Sequence, residues 1–424
     1  MSQTNPLEIL FVSHKYPPST GGMEKQSFEL ISTVSSYAKV HQLVYIKGQE
    51  SLLKFFFHLN RNILKILKKN PAIQIVHFND GLIASISSFH KGYDHLKRVA
   101  TVHGLDVVFP LPYFQKRILK RFNRFDHIIA VSQATADAAI SRGIQREKVS
   151  CINNGVDPQI AFKQNLSWET LSKRYPFLEN NKSYMVTLGR PVKRKGFSWL
   201  LKKVIPHLPA DFQLLMIGPF HHEASFIEKL LRFLPYKLYH LITLFLGYPS
   251  DEREIRKILT TSSVRGQKVR HLGKIPFEDL KALLSNAKAF LMPNISVAGD
   301  MEGFGLVCLE ASLAGTLVLA SGIEGITDAI HDNKNGILLP SEDSKAWINQ
   351  IQQVMAEPDY YQQLAENFQS YSALHFGWEK MGLAYLELFE KIANSPSFYT
   401  LNKDNSITLN NNLQHPSGDS SILV

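Results

Sequence analysis

Glu302-Gly303-Phe304-Gly305-Leu306-Val307-Cys308-Leu309-Glu310 is a glycine-flanked turn running into an apolar helix pattern, with a carboxylate at each end. Such a turn delivers the backbone N–H groups of a helix N-terminus to whatever lies in front of it. That makes an anion site suited to a diphosphate. A carboxylate is out of place beside an anion unless it serves neighbouring groups, and carboxylates accept hydrogen bonds from paired hydroxyls. Glu302 before the turn and Glu310 inside the helix therefore read as holders of two different sugars. With a helix starting near Gly305, a rise of about 1.5 Å per residue separates them by roughly 10 Å. A nucleotide-sugar has about that span between its hexose and its ribose.

Short β-rich runs alternate with longer helical patterns along the whole chain. In the first half the strand candidates are Glu8–Ser13, His41–Ile46, Ile73–Phe78, Arg98–His103, His127–Ser132 and Val149–Asn153. In the second half they are Tyr184–Gly189, Gln213–Gly218, Val269–Leu272, Ala289–Met292, Leu317–Ala320 and Gly336–Leu339. This alternation predicts the α/β class, with two doubly wound parallel sheets carrying helices on both faces. Ligands of such sheets bind outside the carboxyl ends of the strands, and the motifs below fall at those ends.

A chain of 424 residues is too long for one ordinary core and fits two domains of roughly 200 residues each. The domains expected are 1–165 and 183–375, joined by a linker at 166–182 within the polar stretch Asp157 to Lys182. A helix at 376–394 follows, and 395–424, rich in Asn, Ser and Pro, reads as a disordered tail. An apolar content of 44% with 20% charged residues is that of a globular protein. No run approaches the roughly 18 apolar residues needed to span a bilayer, and the polar N-terminus lacks a signal-peptide layout. Cys151 and Cys308 sit in apolar segments and read as buried free thiols of a reducing compartment, the cytoplasm by default. The formal charge of +10 suits anionic lipid or phosphorylated small molecules; no nucleic-acid module is present.

Other motifs carry an ordinary reading beside a functional one. Gly21-Gly22 follows the first strand and opens a helix; it is either a plain turn or a place where backbone approaches a ligand. Gly189-Arg190 ends a strand and Lys193-Arg194-Lys195-Gly196 follows within a turn, so Arg190 and Lys195 read as diphosphate ligands rather than a solvated basic loop. His103, followed by Gly104 at a strand end, is placed for a substrate or is structural. His221-His222-Glu223 lacks a third ligand at metal spacing and reads as a surface loop, and Ser132 reads as a helix cap. Leu52 to Lys69 is amphipathic, with Leu52, Phe55, Phe56, Leu59, Ile63, Ile66 and Leu67 on one face and Lys54, Arg61, Lys65 and Lys68 opposite. Packing on the sheet is favoured over lipid docking there. Phe226 to Leu246 is either additional core or a membrane-facing or subunit-facing hairpin.

From about Leu7 to Ile392, weakening through Phe226–Leu246, the chain resembles the family 4 retaining glycosyltransferases of GT-B architecture. The resemblance rests on Glu302 and Glu310 at eight-residue spacing, continued by Ala311 to Thr316, and on Gly21-Gly22. It rests also on Ile152 to Asp157, on Gly189-Arg190 with Lys195-Gly196, and on His271-Leu272-Gly273 ahead of Lys274-Ile275-Pro276. It implies two Rossmann-like domains facing across a cleft, with the helix near Trp378 returning to the first. It implies that Arg190 and Lys195 bind the donor diphosphate and that Glu310 accepts the ribose hydroxyls. Glu302, with the amides of Gly303, Phe304 and Gly305, would hold the transferred sugar; His103 would contact that sugar, and Gly21 and Gly22 would close over the phosphates. The chain has Ala314-Gly315-Thr316-Leu317 where the family often has Cys-Gly-Thr-Pro.

The function expected is hexosyl transfer from a nucleotide-diphosphate sugar to a hydroxyl of a glycan, glycolipid or small molecule, without a metal or resident cofactor. A nucleotide-sugar epimerase of the same architecture and a non-catalytic, membrane-associated sugar-nucleotide-binding protein are the alternatives. Location is expected in the cytoplasm, with a peripheral contact at the inner face of the membrane.

Overall fold

The computed structural model describes residues 6–19, 21–161, 166–178, 184–220, 234–246, 250–260, 269–395, 399–401 and 407–409. The chain divides into two compact units, one of Met1–Thr101, Arg121–Ile128 and Leu383–Val424, the other of Val102–Lys120 and Ile129–Gly382.

Twelve strands build two parallel six-stranded sheets. They are β1 (Glu8–Ser13), β2 (Lys39–Val44), β3 (Ile75–Phe78), β4 (Lys97–Val102), β5 (His127–Ala130) and β6 (Val149–Cys151), then β7 (Tyr184–Leu188), β8 (Gln213–Ile217), β9 (Val269–Gly273), β10 (Ala289–Met292), β11 (Val318–Ser321) and β12 (Ile337–Leu339). The sheet orders are β2-β1-β3-β4-β5-β6 and β12-β11-β10-β7-β8-β9. Each order reverses once, between β1 and β3 and between β7 and β10. At such a reversal the following loops part and leave a crevice at the carboxyl ends of the strands.

In the first unit β1 is buried at all six positions, as a central strand covered on both faces must be. Helix Leu52–Lys69 covers the sheet through Phe55, Leu59 and Ile63, all essentially inaccessible. Burying each contributes roughly 2 kcal/mol. The Ser51 hydroxyl caps the helix by accepting from the Lys54 N–H at 3.2 Å. Tyr385 and Phe389 of helix Trp378–Asn394 pack edge-on against His77, and Phe389 also against Phe11. The carboxyl ends of β1 and β3 bring His14 Nδ1 within 2.8 Å of Asp80 Oδ2.

The second unit shows the alternation of strand side chains directly. Met185, Leu214, Met216, Leu291 and Leu319 point into a core shared with helices Phe197–Lys203, Ser344–Ala356 and Pro358–His375. Their neighbours Val186, Leu215, Phe290, Met292 and Val318 point to the opposite core, against helices Trp168–Arg174, Phe277–Ser285 and Leu306–Leu313. The stretch read as linker thus contains a helix whose Leu171 is fully buried, tied down by Arg174 and Tyr175 on Asp279. Within Ile152 to Asp157, Val156 N–H donates to the Phe376 carbonyl at 3.0 Å and its own carbonyl accepts from Trp378 N–H at 3.3 Å.

The strands expected from sequence are all present, with ends shifted by at most two residues. Ser132 caps its helix as read, accepting from Thr135 N–H at 3.0 Å. Both cysteines are free; Cys308 is buried, whereas Cys151 is only half-buried because β6 is an edge strand. Burial pushes each thiol up to about 12. Tyr399–Leu401 and Ile407–Leu409 pair as a short antiparallel ladder in the stretch read as a disordered tail. His221-His222-Glu223, residues 226–233 of the apolar segment, part of the linker and the remainder of the tail lie outside the described residues. No described helix is long and apolar enough to cross a membrane.

Candidate functional site

The candidate residues from His103 onward all belong to the second unit. Gly189 and Arg190 directly follow β7, and Asn294 lies two residues beyond β10, so the loops that diverge at the reversal of strand order carry the candidate residues. After β7 the chain makes a single 3-10 turn, Lys193–Lys195, which ends at Gly196 in the left-handed region with φ +65°. A Cβ on Gly196 would also stand 1.9 Å from the Pro293 carbonyl oxygen. Both constraints demand glycine. The tight turn points Lys195 inward, leaving its side chain only 9% exposed.

Lys195 Nζ meets Glu302 Oε2 at 2.7 Å, and Arg194 Nε approaches the same oxygen at 3.4 Å. The Asn294 side-chain N–H donates to it at 3.1 Å. Arg194 also pairs with Asp300 at 3.3 Å. Glu302 is thus nearly buried, with its side chain 12% exposed, yet ringed by donors. Burial alone would raise its pKa, but Lys195 and Arg194 outweigh that effect and hold the carboxyl at about 2. Asn294 is fully buried and its Oδ1 has no hydrogen-bond partner among the described residues.

The turn after Glu302 is equally constrained. A Cβ on Gly303 would lie 2.0 Å from the His103 carbonyl oxygen, so only glycine lets the two backbones touch. Gly305, at φ +88°, sits at the start of helix Leu306–Leu313, as the sequence pattern predicts. Phe304 turns its side chain into the core beside Leu309 and Leu313, so only its backbone is available to a ligand. Glu310 lies half-buried one turn into that helix. His103 follows β4, half-buried, with its N–H donating to both Asp106 carboxylate oxygens at 2.8 and 3.0 Å.

Arg190 is exposed and lines an open cleft with Lys193, Arg194, Asp300, Thr243 and Leu244. Helix Tyr236–Leu246, within the segment read as extra core or a projecting hairpin, therefore contributes to the wall of this cleft. Lys195 and Glu302 are brought into contact, Arg190 adjoins them through Arg194 and Asp300, and His103 meets the turn through its backbone. Gly21 and Gly22 belong to the first unit, where they open helix Gly22–Ser35.

Sequence reasoning missed four participants: Arg194, Asn294, Asp300 and Glu324. Glu324 Oε2 accepts from the Glu302 N–H at 2.6 Å. Burial pushes its carboxyl up to about 7, with Glu302 and Asp300 adding to the rise and the Glu302 N–H and Arg194 opposing it. The signal available was an acidic residue beside a glycine just after a strand, in Gly322-Ile323-Glu324-Gly325.

Residues 169–371 match the family described as glycosyl transferases group 1, and residues 12–160 match glycosyltransferase family 4. The chain belongs to the family 4 type of group 1 glycosyltransferases. Among curated relatives of this glycosyltransferase, the D-inositol 3-phosphate glycosyltransferase of Corynebacterium urealyticum is 31% identical over 128 residues. That match covers 30% of this chain and spans only 29% of the relative's length. Anabaena Alr3699/HepE, solved in complex with UDP-glucose, superposes with a TM-score of 0.66 at 19% identity, covering 91% of this chain and all of that one. Sucrose-phosphate synthase from Thermosynechococcus elongatus gives 0.67 at 19% identity, over 91% and 99% of the two chains. At such identities the likeness establishes the fold, the two-domain GT-B architecture.

Proposed function

We propose that this glycosyltransferase moves a hexosyl unit from a nucleoside-diphosphate sugar to an acceptor hydroxyl, with retained configuration. The observation carrying this reading is the buried Lys195–Glu302 pair beside a helix-start turn, with Arg190 in the adjoining cleft. The difficulty of the reaction lies in positive charge developing on the sugar and negative charge on the departing diphosphate. Arg190, Lys195 and the amides of Gly303 to Gly305 stabilise the latter, an electrostatic contribution worth several kcal/mol. Glu302 and Glu310 accept from sugar hydroxyls, and the leaving phosphate assists deprotonation of the acceptor on the same face. These cations make a divalent metal unnecessary. The UDP-glucose bound by HepE, a protein of the same fold, supports a nucleotide-sugar donor.

Thermal unfolding with UDP-, GDP- and ADP-sugars tests the reading. At a hundred times Kd the cognate donor raises the midpoint by about 3 °C. No shift with any of the three classes overturns it. Nucleoside diphosphate release that an added acceptor accelerates, with no epimerised donor formed in its absence, distinguishes transfer from epimerisation.

A peripheral membrane contact has its own support in the first unit. On the solvent face of helix Leu52–Lys69, Leu53 and Phe57 are 82% and 85% exposed, in line with exposed Lys54, Arg61, Lys65 and Lys68. The helix carries no acidic residue. Its opposite face packs on the sheet, so the covering role and the lipid-facing role use different sides of one helix. Exposed aromatic and aliphatic groups flanked by lysines match an anionic lipid surface. The protein is expected to sediment with anionic vesicles at low salt and to be released as salt rises, and Leu53→Ser with Phe57→Ser removes most of the bound fraction. A wild-type protein that stays in the supernatant at low salt excludes the contact.

A further inference from the structure

We propose that Glu324 is a positioning residue that aims the Glu302 side chain. This rests on the reading of Glu302 as a sugar-holding group. Glu302 is gripped at both of its backbone groups by consecutive residues of one loop: its N–H donates to Glu324 Oε2 at 2.6 Å, and its carbonyl accepts from Gly325 N–H at 3.1 Å. The loop fits closely enough that a Cβ on Gly325 would stand 2.1 Å from the Gly303 carbonyl oxygen. With its backbone fixed from this side and its carboxylate fixed by Lys195 and Asn294 from the other, Glu302 has one orientation.

Two features of Glu324 are locally unfavourable, and the clamp is what offsets them. Its φ of +51° lies in the left-handed region, which a residue with a Cβ adopts at a cost and glycine adopts freely. Only Glu324, Asn333 and Glu342 do so among the described non-glycine residues. Its carboxylate is also a third acid beside Asp300 and Glu302, where charge repulsion and burial both oppose it. Glycine would relieve the first strain and any neutral side chain the second. A glutamate retained under both penalties points to a function for its oxygen, and the Glu302 amide is where that oxygen goes.

The test compares Glu324→Gln, Glu324→Ala and Glu324→Gly. For whichever of UDP-glucose, GDP-mannose and ADP-glucose binds the wild type, two quantities are measured. One is the rate of nucleoside diphosphate release with water as acceptor; the other is the Kd of the bare nucleoside diphosphate. Glu324→Ala and Glu324→Gly are expected to lower kcat about tenfold, the worth of one charge-assisted hydrogen bond. The Kd of the bare diphosphate stays within twofold, because Glu302 serves the sugar alone. Glu324→Gln, which still offers an oxygen to the amide, recovers most of the rate. The thermal midpoint of Glu324→Gly does not fall below that of the wild type, since the backbone strain is gone. A Glu324→Gly protein with wild-type kcat, or a Glu324→Gln protein as slow as Glu324→Ala, overturns the positioning role while leaving the donor reading intact. A wild type that binds none of the three donors brings down the donor reading, and the positioning role with it.

Discussion

Lys195→Ala is expected to reduce glycosyl transfer by two orders of magnitude or more and, at the same time, to destabilise the protein by about 3–5 kcal/mol. The double effect follows from where the ammonium sits. Its partner Glu302 is almost buried and keeps its charge chiefly because Lys195 and Arg194 stand against it. Removing Lys195 leaves a buried carboxylate with only Arg194, at 3.4 Å, and the Asn294 amide against it, a charge poorly compensated in a poor solvent. A second variant separates the two consequences. Lys195→Met combined with Glu302→Leu deletes both charges and fills their space, so stability recovers to within about 1–2 kcal/mol of wild type while transfer stays abolished. Urea unfolding and initial rates of nucleoside diphosphate release check the pair. A single variant as stable as wild type would mean that water, not Lys195, neutralises Glu302.

That coupling could not be read from the chain, although much around it could. The strands were legible because runs such as Ile9-Leu10-Phe11-Val12 and Phe290-Leu291-Met292 are apolar on both faces, and only a central parallel strand buries both. The turn at Gly303 to Gly305 was legible because two glycines before an apolar helix have few other uses. The basic cluster was visible as Lys193-Arg194-Lys195, but sequence does not say which side chain a 3-10 turn points inward, and the Lys195–Glu302 contact spans a hundred residues. Arg194 is not legible in sequence for that reason: its value depends on Asp300 and Glu302 approaching from another loop. Glu324 was hidden more deeply, since a left-handed glutamate is recognised only from its backbone angle. On helix Leu52–Lys69 the core face is legible from its 3.6-residue period, whereas Leu53 and Phe57 fall off that period onto the exposed basic face.

Arg190→Ala is expected to give the opposite signature: transfer lowered by about 100- to 1000-fold with stability within about 0.5 kcal/mol of wild type. Arg190 is exposed at the rim of the cleft, so its own charge is solvated rather than buried. Its contribution arises only when a diphosphate enters and develops further charge as the sugar departs. The loss therefore falls mainly on kcat, because an interaction stronger in the transition state than in the bound donor leaves KM little changed. Arg190→Lys restores the charge but not the planar fork that meets two phosphate oxygens at once, so it recovers only part of the rate. Steady-state kinetics over a range of donor concentrations, beside a thermal melt, make the comparison. A rise in KM with kcat untouched would place Arg190 on the ground-state donor alone, and leave Lys195 and the turn amides to hold the charge of the leaving group.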